Sequence, residues 1–486
     1  MTVATVAPTI MWFRQDLRLT DNPALDHAVA RGAPVIALYV LDDATPGAWT
    51  QGGASRWWLH HSLTALAAGL ETRGATLIRQ RGAADKVLAE VARETGADRI
   101  VASRCYEPRA GALEKRLHET LKAAGVTFAR YPGALLFDPD HVRTKTDVPY
   151  KVYTPFWRSV SVSPQRSVIE APKKIATPTR LPKSDRLADW DLLPTKPDWA
   201  GGMREAWTPG EASASKRLDR FLETALRDYA TNRNRPDLEG TSRLSPHLHF
   251  GEISPSLCWQ RANAFAASQS GTESGLEVFL KELVWREFSY HLLHHWPTLP
   301  EEPFRPEFAK FPWATNNVQL KAWQRGQTGF PIVDAGMREL WHTGWMHNRV
   351  RMIAGSFLVK DLLIPWQTGE AWFWDTLVDA DLAANAASWQ WIAGSGADAA
   401  PYFRVFNPQL QSEKFDAAGA YVRRWVPEIA KLPDKYLHAP ATAPREVLAH
   451  CGITLGETYP HPIVDHGRAR DAALAAFATL KTENAG

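Results

Sequence analysis

Along the first 135 residues, short apolar runs alternate with segments of helical period. "TIMWF", "APVIALYVLD", "ATLIRQ", "DRIVAS" and "VTFARYP" are the apolar runs, and stretches such as "SRWWLHHSLTALAAGLETRG" and "ADKVLAEVARETG" separate them. Continuous apolar strands fed by intervening helices predict a doubly wound α/β domain over 1–135, with a parallel sheet covered on both faces. The first strand leads into "RQDLRLTDNPAL" and not into a glycine-rich phosphate turn, so nothing supports a dinucleotide in the usual place for such a sheet.

The period then fails. Residues 136–209 read as an interdomain connector, most irregular from about 160 to 205, where Pro, Lys and Asp interrupt any helix or strand. Trp190 and Trp199 of that irregular stretch predict that it lies against the protein. From 210 to 486 the pattern is helical throughout. "ASKRLDRFLETALRDYA", "GLEVFLKELVWREFSYHLLHH", "FPIVDAGMRELWHTG", "NRVRMIAGSFLVKDLL", "GEAWFWDTLVDADLAANAA" and "ARDAALAAFATLK" each carry one apolar stripe, which predicts an all-α second domain.

Composition narrows the class. A chain of 486 residues, 45% hydrophobic and 22% charged, is too long for one ordinary core and ordinary for a water-exposed protein. No apolar run is long enough to span a bilayer, and "MTVATVAPTIMWF" lacks the basic start and cleavage pattern of a signal peptide, so a cytoplasmic location is expected. Cys105, Cys258 and Cys451 lie far apart and predict reduced thiols, with neither a disulfide frame nor a metal site. A net charge of +3 does not declare a nucleic-acid partner, although a local basic groove fits within it. The unusual count is 21 Trp; core packing accounts for most of them, but indoles also stack on planar ligands.

Several constellations are candidates for chemistry. "GSGADA" at 394–399 follows a helix and no strand, which leaves it without value as a phosphate fingerprint. His247 and His249 are placed to pair on a strand face, and His294 and His295 adjoin; ordinary polar contacts explain both sets. In "RNRPDLEGTSRLSPHLHFGEIS", clustered Gly, Thr and Ser before a helix, with Arg233, Arg235 and Arg243, suit an anion; a capped helix start explains them equally well. Glu282 and Arg286 stand four apart beside Trp285, an i,i+4 ion-pair spacing in an apolar setting that favours a buried site. Asn348, Arg351 and Met352 fall on adjacent turns of one helix with Arg349 turned away, and Asp379 is the acid that a buried Arg351 requires.

Taken together, "MWFRQDLRLTDNPAL", "GTSRLSPHLHFGEIS", "ELVWREF", "TGFPIVDAGMRELWHTGWMHNRVRM" and "DADLAANAASWQW" resemble the photolyase/cryptochrome family from about residue 10 to about 475. The resemblance implies FAD in the helical domain. Tyr229 and the loop Thr241, Ser242, Arg243, Leu244 and Ser245 match its phosphate cradle; Arg286, Asn348, Arg351, Asp379 and Asp381 match the polar neighbours of the flavin. Asn385 matches the residue facing flavin N5, where a neutral amide hydrogen-bonds reduced flavin without offering an acid proton. It further implies DNA carrying ultraviolet damage, single- or double-stranded, with the damaged dimer flipped into a pocket. There Trp285 and Trp391 match aromatic walls, Glu282 a carboxyl that bonds the bases, and Met352 an apolar wall, while Arg233, Arg349 and Arg404 match phosphate contacts. Trp389, Trp366 and Trp313 match a chain that carries an electron inward to reduce the flavin.

Within the family, Asn348 and Met352 differ from the His residues of enzymes for (6-4) photoproducts, and DASH-type cryptochromes replace the Met. Plant-type cryptochromes usually have Asp and Tyr where Asn385 and Trp391 stand, and carry long C-terminal extensions. Yet "LLIPW", "FWDTLVDADL" and "SRWWLHHSL" are closer to the plant receptors than to the best-known bacterial enzymes. The expectation is therefore a carbon–carbon lyase that splits cyclobutane pyrimidine dimers, from the branch near plant cryptochromes, acting as a monomer; a blue-light photoreceptor without repair activity is the alternative. The second chromophore is expected to be 5,10-methenyltetrahydrofolate, with a deazaflavin as the alternative. Glu301 stands where bacterial folate enzymes have Lys, so a folate requires a different pocket.

Overall fold

The computed structural model describes residues 6–399 and 403–482. Its five strands are β1 (Thr9–Phe13), β2 (Val35–Leu41), β3 (Leu77–Arg81), β4 (Arg99–Ser103) and β5 (Thr127–Tyr131), all parallel in the order β3-β2-β1-β4-β5. Four fall within the apolar runs, and β3 begins in the third run and ends one residue past it, at Arg81. Thr9 lies beside Val35 on one side and Arg99 on the other, and this register sorts alternate residues to opposite faces. Met11, Phe13, Val35, Ala37 and Val101 enter one core, with helices α1 (Pro23–Ala30) and α2 (Gly53–Glu71); Ile10, Trp12, Ile36, Leu38 and Ile100 enter the other, with α3 (Ala84–Thr95) and α4 (Pro108–Ala123).

The first core does not stop at the sheet. It takes in Trp190, Met203 and Trp207 of the connector, and Phe250, Trp345 and Val378 of the helical region. Trp190 is buried with its ring 6.1 Å from that of Tyr39, while Trp199 is 36% exposed, so of the two tryptophans in the irregular stretch one is fully docked and one half-covered. The connector also contains a helix at Tyr153–Val160. The turn after β1 is explained here. Buried Arg18 donates to the carbonyls of Asp21, Gly133 and Gly251, and Glu211 accepts from the amides of Leu19 and Thr20. "RQDLRLTDNPAL" is thus a knot between sheet and helices, with Asn22 capping α1.

The mostly helical region uses α5 (Glu211–Thr224), α6 (Ser245–His249), α7 (Glu273–His295), α8 (Pro331–Thr343), α9 (Asn348–Ser356), α10 (Trp366–Thr376), α11 (Leu382–Ala393) and α12 (His466–Thr482) to build the site. Two expectations need correction. His247 and His249 lie on α6, not on a strand. The run "GEAWFWDTLVDADLAANAA" is not one helix: α10 ends at Thr376 and α11 starts at Leu382. The acids lie in the break because Asp381 serves α11 as its N-cap, accepting from the Ala384 amide at 2.9 Å, a bond that favours a new helix start over continuation. Among the described residues no helix is long and apolar enough to cross a membrane.

Candidate functional site

The break between α10 and α11 is the centre of a polar cluster. Asp379 accepts from Arg351 on α9 at 2.8 Å and from the Ser245 hydroxyl at 2.6 Å, so the acid expected for Arg351 is the one found. Asp381 accepts from the Tyr290 hydroxyl at 2.6 Å and faces His249 Nδ1 at 3.4 Å. Burial pushes the Asp381 carboxyl up, but His249, Arg286 and Tyr290 together hold it down at about 2. One turn along α11, Asn385 is buried and its amide donates to the Glu370 carbonyl at 3.0 Å. Its Oδ1 is the end left as an acceptor.

The loop before α6 holds Arg243 at φ 49°, a left-handed conformation that turns the chain back beside Asp379. The Arg243 guanidinium lies 4.6 Å over the Trp345 ring, and Arg351 lies 5.9 Å from the same ring. Buried His347 registers the resulting field. Burial first, then Arg243, Arg349, Arg351 and Arg233, push its imidazole down to about 3. Its Nδ1 accepts the Arg349 amide at 3.2 Å, so the ring proton sits on Nε2, a buried atom with no hydrogen-bond partner in the structure. Tyr229 is buried beneath Arg233, whose guanidinium is 5.8 Å from the ring.

A second group lies toward the surface. Glu282 and Arg286 do not form the i,i+4 pair that their spacing suggested. Glu282 binds Arg233 at 2.7 Å, while Arg286 donates to the Ala134 carbonyl at 2.9 Å and covers the Tyr290 ring. Glu282 finds its ion-pair partner across the interface, whereas the carboxylate facing Arg286 is that of its own neighbour Glu287, at 3.4 Å. Half-buried Trp285 stacks on Tyr153 at 3.6 Å and 4°. The Tyr153 amide donates to Asp398, and the Asp398 carbonyl accepts the Trp391 indole N–H at 3.2 Å. This chain of contacts brings Trp285 and Trp391 to one place. Arg349 does not turn away from Met352 as its helix position suggested: it donates to the Met352 sulfur at 3.6 Å and to Asn234 at 2.6 Å, while Asn348 and Arg404 are exposed.

Trp389 and Trp366 are buried in one core cluster, and Trp313 packs at its edge against Phe311 at 4.3 Å. Trp389 presses on Gly369 so closely that any side chain there would enter its ring.

The N-terminal residues 9–176 match the model of the DNA photolyase domain, and residues 279–479 match that of the FAD binding domain of DNA photolyase. The chain belongs to the DNA photolyase family. It is 51% identical to a deoxyribodipyrimidine photo-lyase of Agrobacterium fabrum, with 98% of each chain covered. It is 40% identical to cryptochrome-1 of Arabidopsis thaliana, covering 95% of this chain and 69% of that one. The crystal structure of a bacterial class III photolyase from Agrobacterium tumefaciens superposes with a TM-score of 0.95 at 50% identity, over 99% of this chain and 100% of that one.

The photolyase residues fit FAD. Guanidiniums crowd around a buried imidazole whose Nε2–H has no partner, which suits a diphosphate; Ser245 is already oriented by Asp379, and a neutral amide stands at Asn385. Sequence reasoning missed His249, Tyr153, Asn234, His347 and Glu370. His249 and Tyr153 lie inside matched or aromatic stretches and carried some signal. Glu370, buried with both carboxyl oxygens unpartnered in the structure, carried none.

Proposed function

We propose that this photolyase-family protein is a deoxyribodipyrimidine photo-lyase that splits cyclobutane pyrimidine dimers in ultraviolet-damaged DNA, acting as a monomer in the cytoplasm. The observation that carries the reading is the contact chain Trp285, Tyr153, Asp398, Trp391, which links two half-buried tryptophans on different helices in the domain whose residues suit FAD. Bound FAD in its reduced form supplies, on illumination, one electron that opens the cyclobutane ring and returns afterwards, so the reaction carries no net redox change.

The side chains divide the remaining work. Trp285 and Trp391 flank the flipped dimer, and Met352 closes an apolar side. Glu282 bonds the dimer's base edge, with Asn348 beside it; Arg233 holds Glu282 until DNA arrives, then turns to phosphate with Arg349 and Arg404. Tyr229 and Thr241 to Ser245 cradle the cofactor's phosphates, and Arg286, Arg351, Asp379 and Asp381 fix its polarity. Asn385 would offer its Oδ1 as an acceptor to the bound flavin ring, with no acid proton to give. Trp313, Trp366 and Trp389 form the inward route for electrons. Glu301 faces Arg109 at 3.8 Å, an acid where a folate-binding Lys would stand, so a folate antenna takes another pocket.

The test is to incubate the reduced protein with dimer-containing single-stranded DNA in light and in dark and to quantify restored thymines. Restoration only in light is expected. Equal yields in light and dark would leave the photoreceptor reading in its place.

A further inference from the structure

Behind α9, which carries Asn348, Arg349, Arg351 and Met352, the chain widens into a single i→i+5 turn at Phe357–Asp361. Such turns are costly and often mark function. This one buries two successive charges. Asp361 accepts from His466 of α12 at 2.6 Å. Lys360 is 2% exposed; its ammonium lies 3.5 Å from the centre of the Phe403 ring and donates to the Arg404 carbonyl at 2.9 Å.

A buried lysine, whose amine is pushed down to about 7 by burial, is an expensive way to hold a fold together, since an apolar side chain of similar length would pack at least as well. What lysine does that an apolar residue cannot is fix a carbonyl. The carbonyl it fixes belongs to an exposed arginine on the segment that follows α11 and Trp391. The same segment is tied to α9 a second time, by the Phe406 amide to the Ser356 hydroxyl at 3.4 Å. Phe403 is itself stacked on Phe477 of α12, at 4.6 Å and 9°.

We propose that Lys360 is a positioning residue for DNA binding: by clamping the Arg404 carbonyl it fixes the backbone from which the Arg404 side chain reaches a phosphate at the mouth of the dimer recess. This rests on the dimer-repair reading above. Lys360 touches no DNA. It cuts the ordering cost that Arg404 would otherwise meet on binding.

The experiment measures binding of a dimer-containing duplex to the FAD-loaded protein as a function of salt. Lys360→Met is expected to weaken affinity roughly three- to tenfold and to lower the slope of log affinity against log salt by about 0.9, the signature of one lost phosphate contact. A change confined to packing would leave that slope alone. The weakening should appear in the half-saturating DNA concentration and not in the repair rate at saturation. In an Arg404→Ala background the Lys360→Met effect should shrink below about twofold. Unchanged affinity and slope, or equal losses in both backgrounds, would overturn the proposal. Should Lys360→Met fail to retain FAD, Ser356→Ala removes the second tie with a smaller perturbation and must lower the salt slope in the same direction; parental behaviour there also overturns it. An unsubstituted protein that restores no thymines would instead sink the repair reading itself, independently of these variants.

Discussion

Trp389 and Trp391 stand two residues apart on α11 and live in different surroundings. Trp389 is 3% exposed, wedged against Gly369 and Gly355, with Trp323 and Phe373 rings 6.3 and 5.0 Å away. Trp391 is half-buried and ties its indole N–H to the carbonyl of Asp398, whose carboxylate holds the Tyr153 amide beside Trp285. One helix face is dry and tightly fitted; the other is partly open and charged. A side chain that must pass an electron needs fixed neighbours, whereas one that must receive a base needs space and a polar rim. The difference suits the first face to the proposed route of reduction and the second to the proposed substrate site.

That division can be broken. The largest expected effect is on Trp366→Phe, which should abolish photoreduction of bound flavin while enzyme reduced chemically still repairs; normal photoreduction would remove Trp366 from the route. Next, Gly369→Ala forces a methyl into the Trp389 ring and should destabilise the protein by about 3 kcal/mol, measured by denaturant unfolding, with dimer affinity unchanged. Trp391→Ala should do the reverse, losing about 2 kcal/mol of dimer binding with little change in the unfolding midpoint. If its main effect were on stability, the two faces would not be separate.

The smallest effect concerns pH. Burial raises the Glu282 carboxyl above its ordinary range, with Arg233 opposing. A raised carboxyl keeps its proton at higher pH than usual and loses it as pH climbs through that raised value; the charged form prefers Arg233 to a base edge. Dimer affinity should therefore decline with rising pH by about 1 kcal/mol or less, and Glu282→Gln should flatten the titration curve.

The fold was largely legible because strands of a covered parallel sheet read as apolar runs, and four of the five strands fall inside such runs while β3 overruns its own by one residue. The site was legible where matched motifs put residues on one helix, as with Asn348, Arg351 and Met352. It was illegible where partners lie far apart. Spacing offered Glu282 a mate at Arg286, but the fold supplied Arg233. The acids in "LVDADL" read as part of one helix, although Asp381 is the cap that starts a new one. Lys360 and Glu370 look like surface residues in sequence and are buried, because periodicity cannot tell which polar position of a crowded helix faces another helix.

The close spacing of the two tryptophans also bears on how α11 can change over time. Each residue of an α-helix advances the azimuth by about 100°. Inserting or deleting a single residue among positions 382–388 would leave every side chain's identity intact yet rotate Trp389 out of its glycine-lined slot and Trp391 away from the recess in one stroke. Point substitutions at solvent-facing positions such as Ser388 perturb neither face. Lineages of this protein should accordingly accumulate replacements along α11 while holding its length fixed, with insertions confined to the surface loops beyond it.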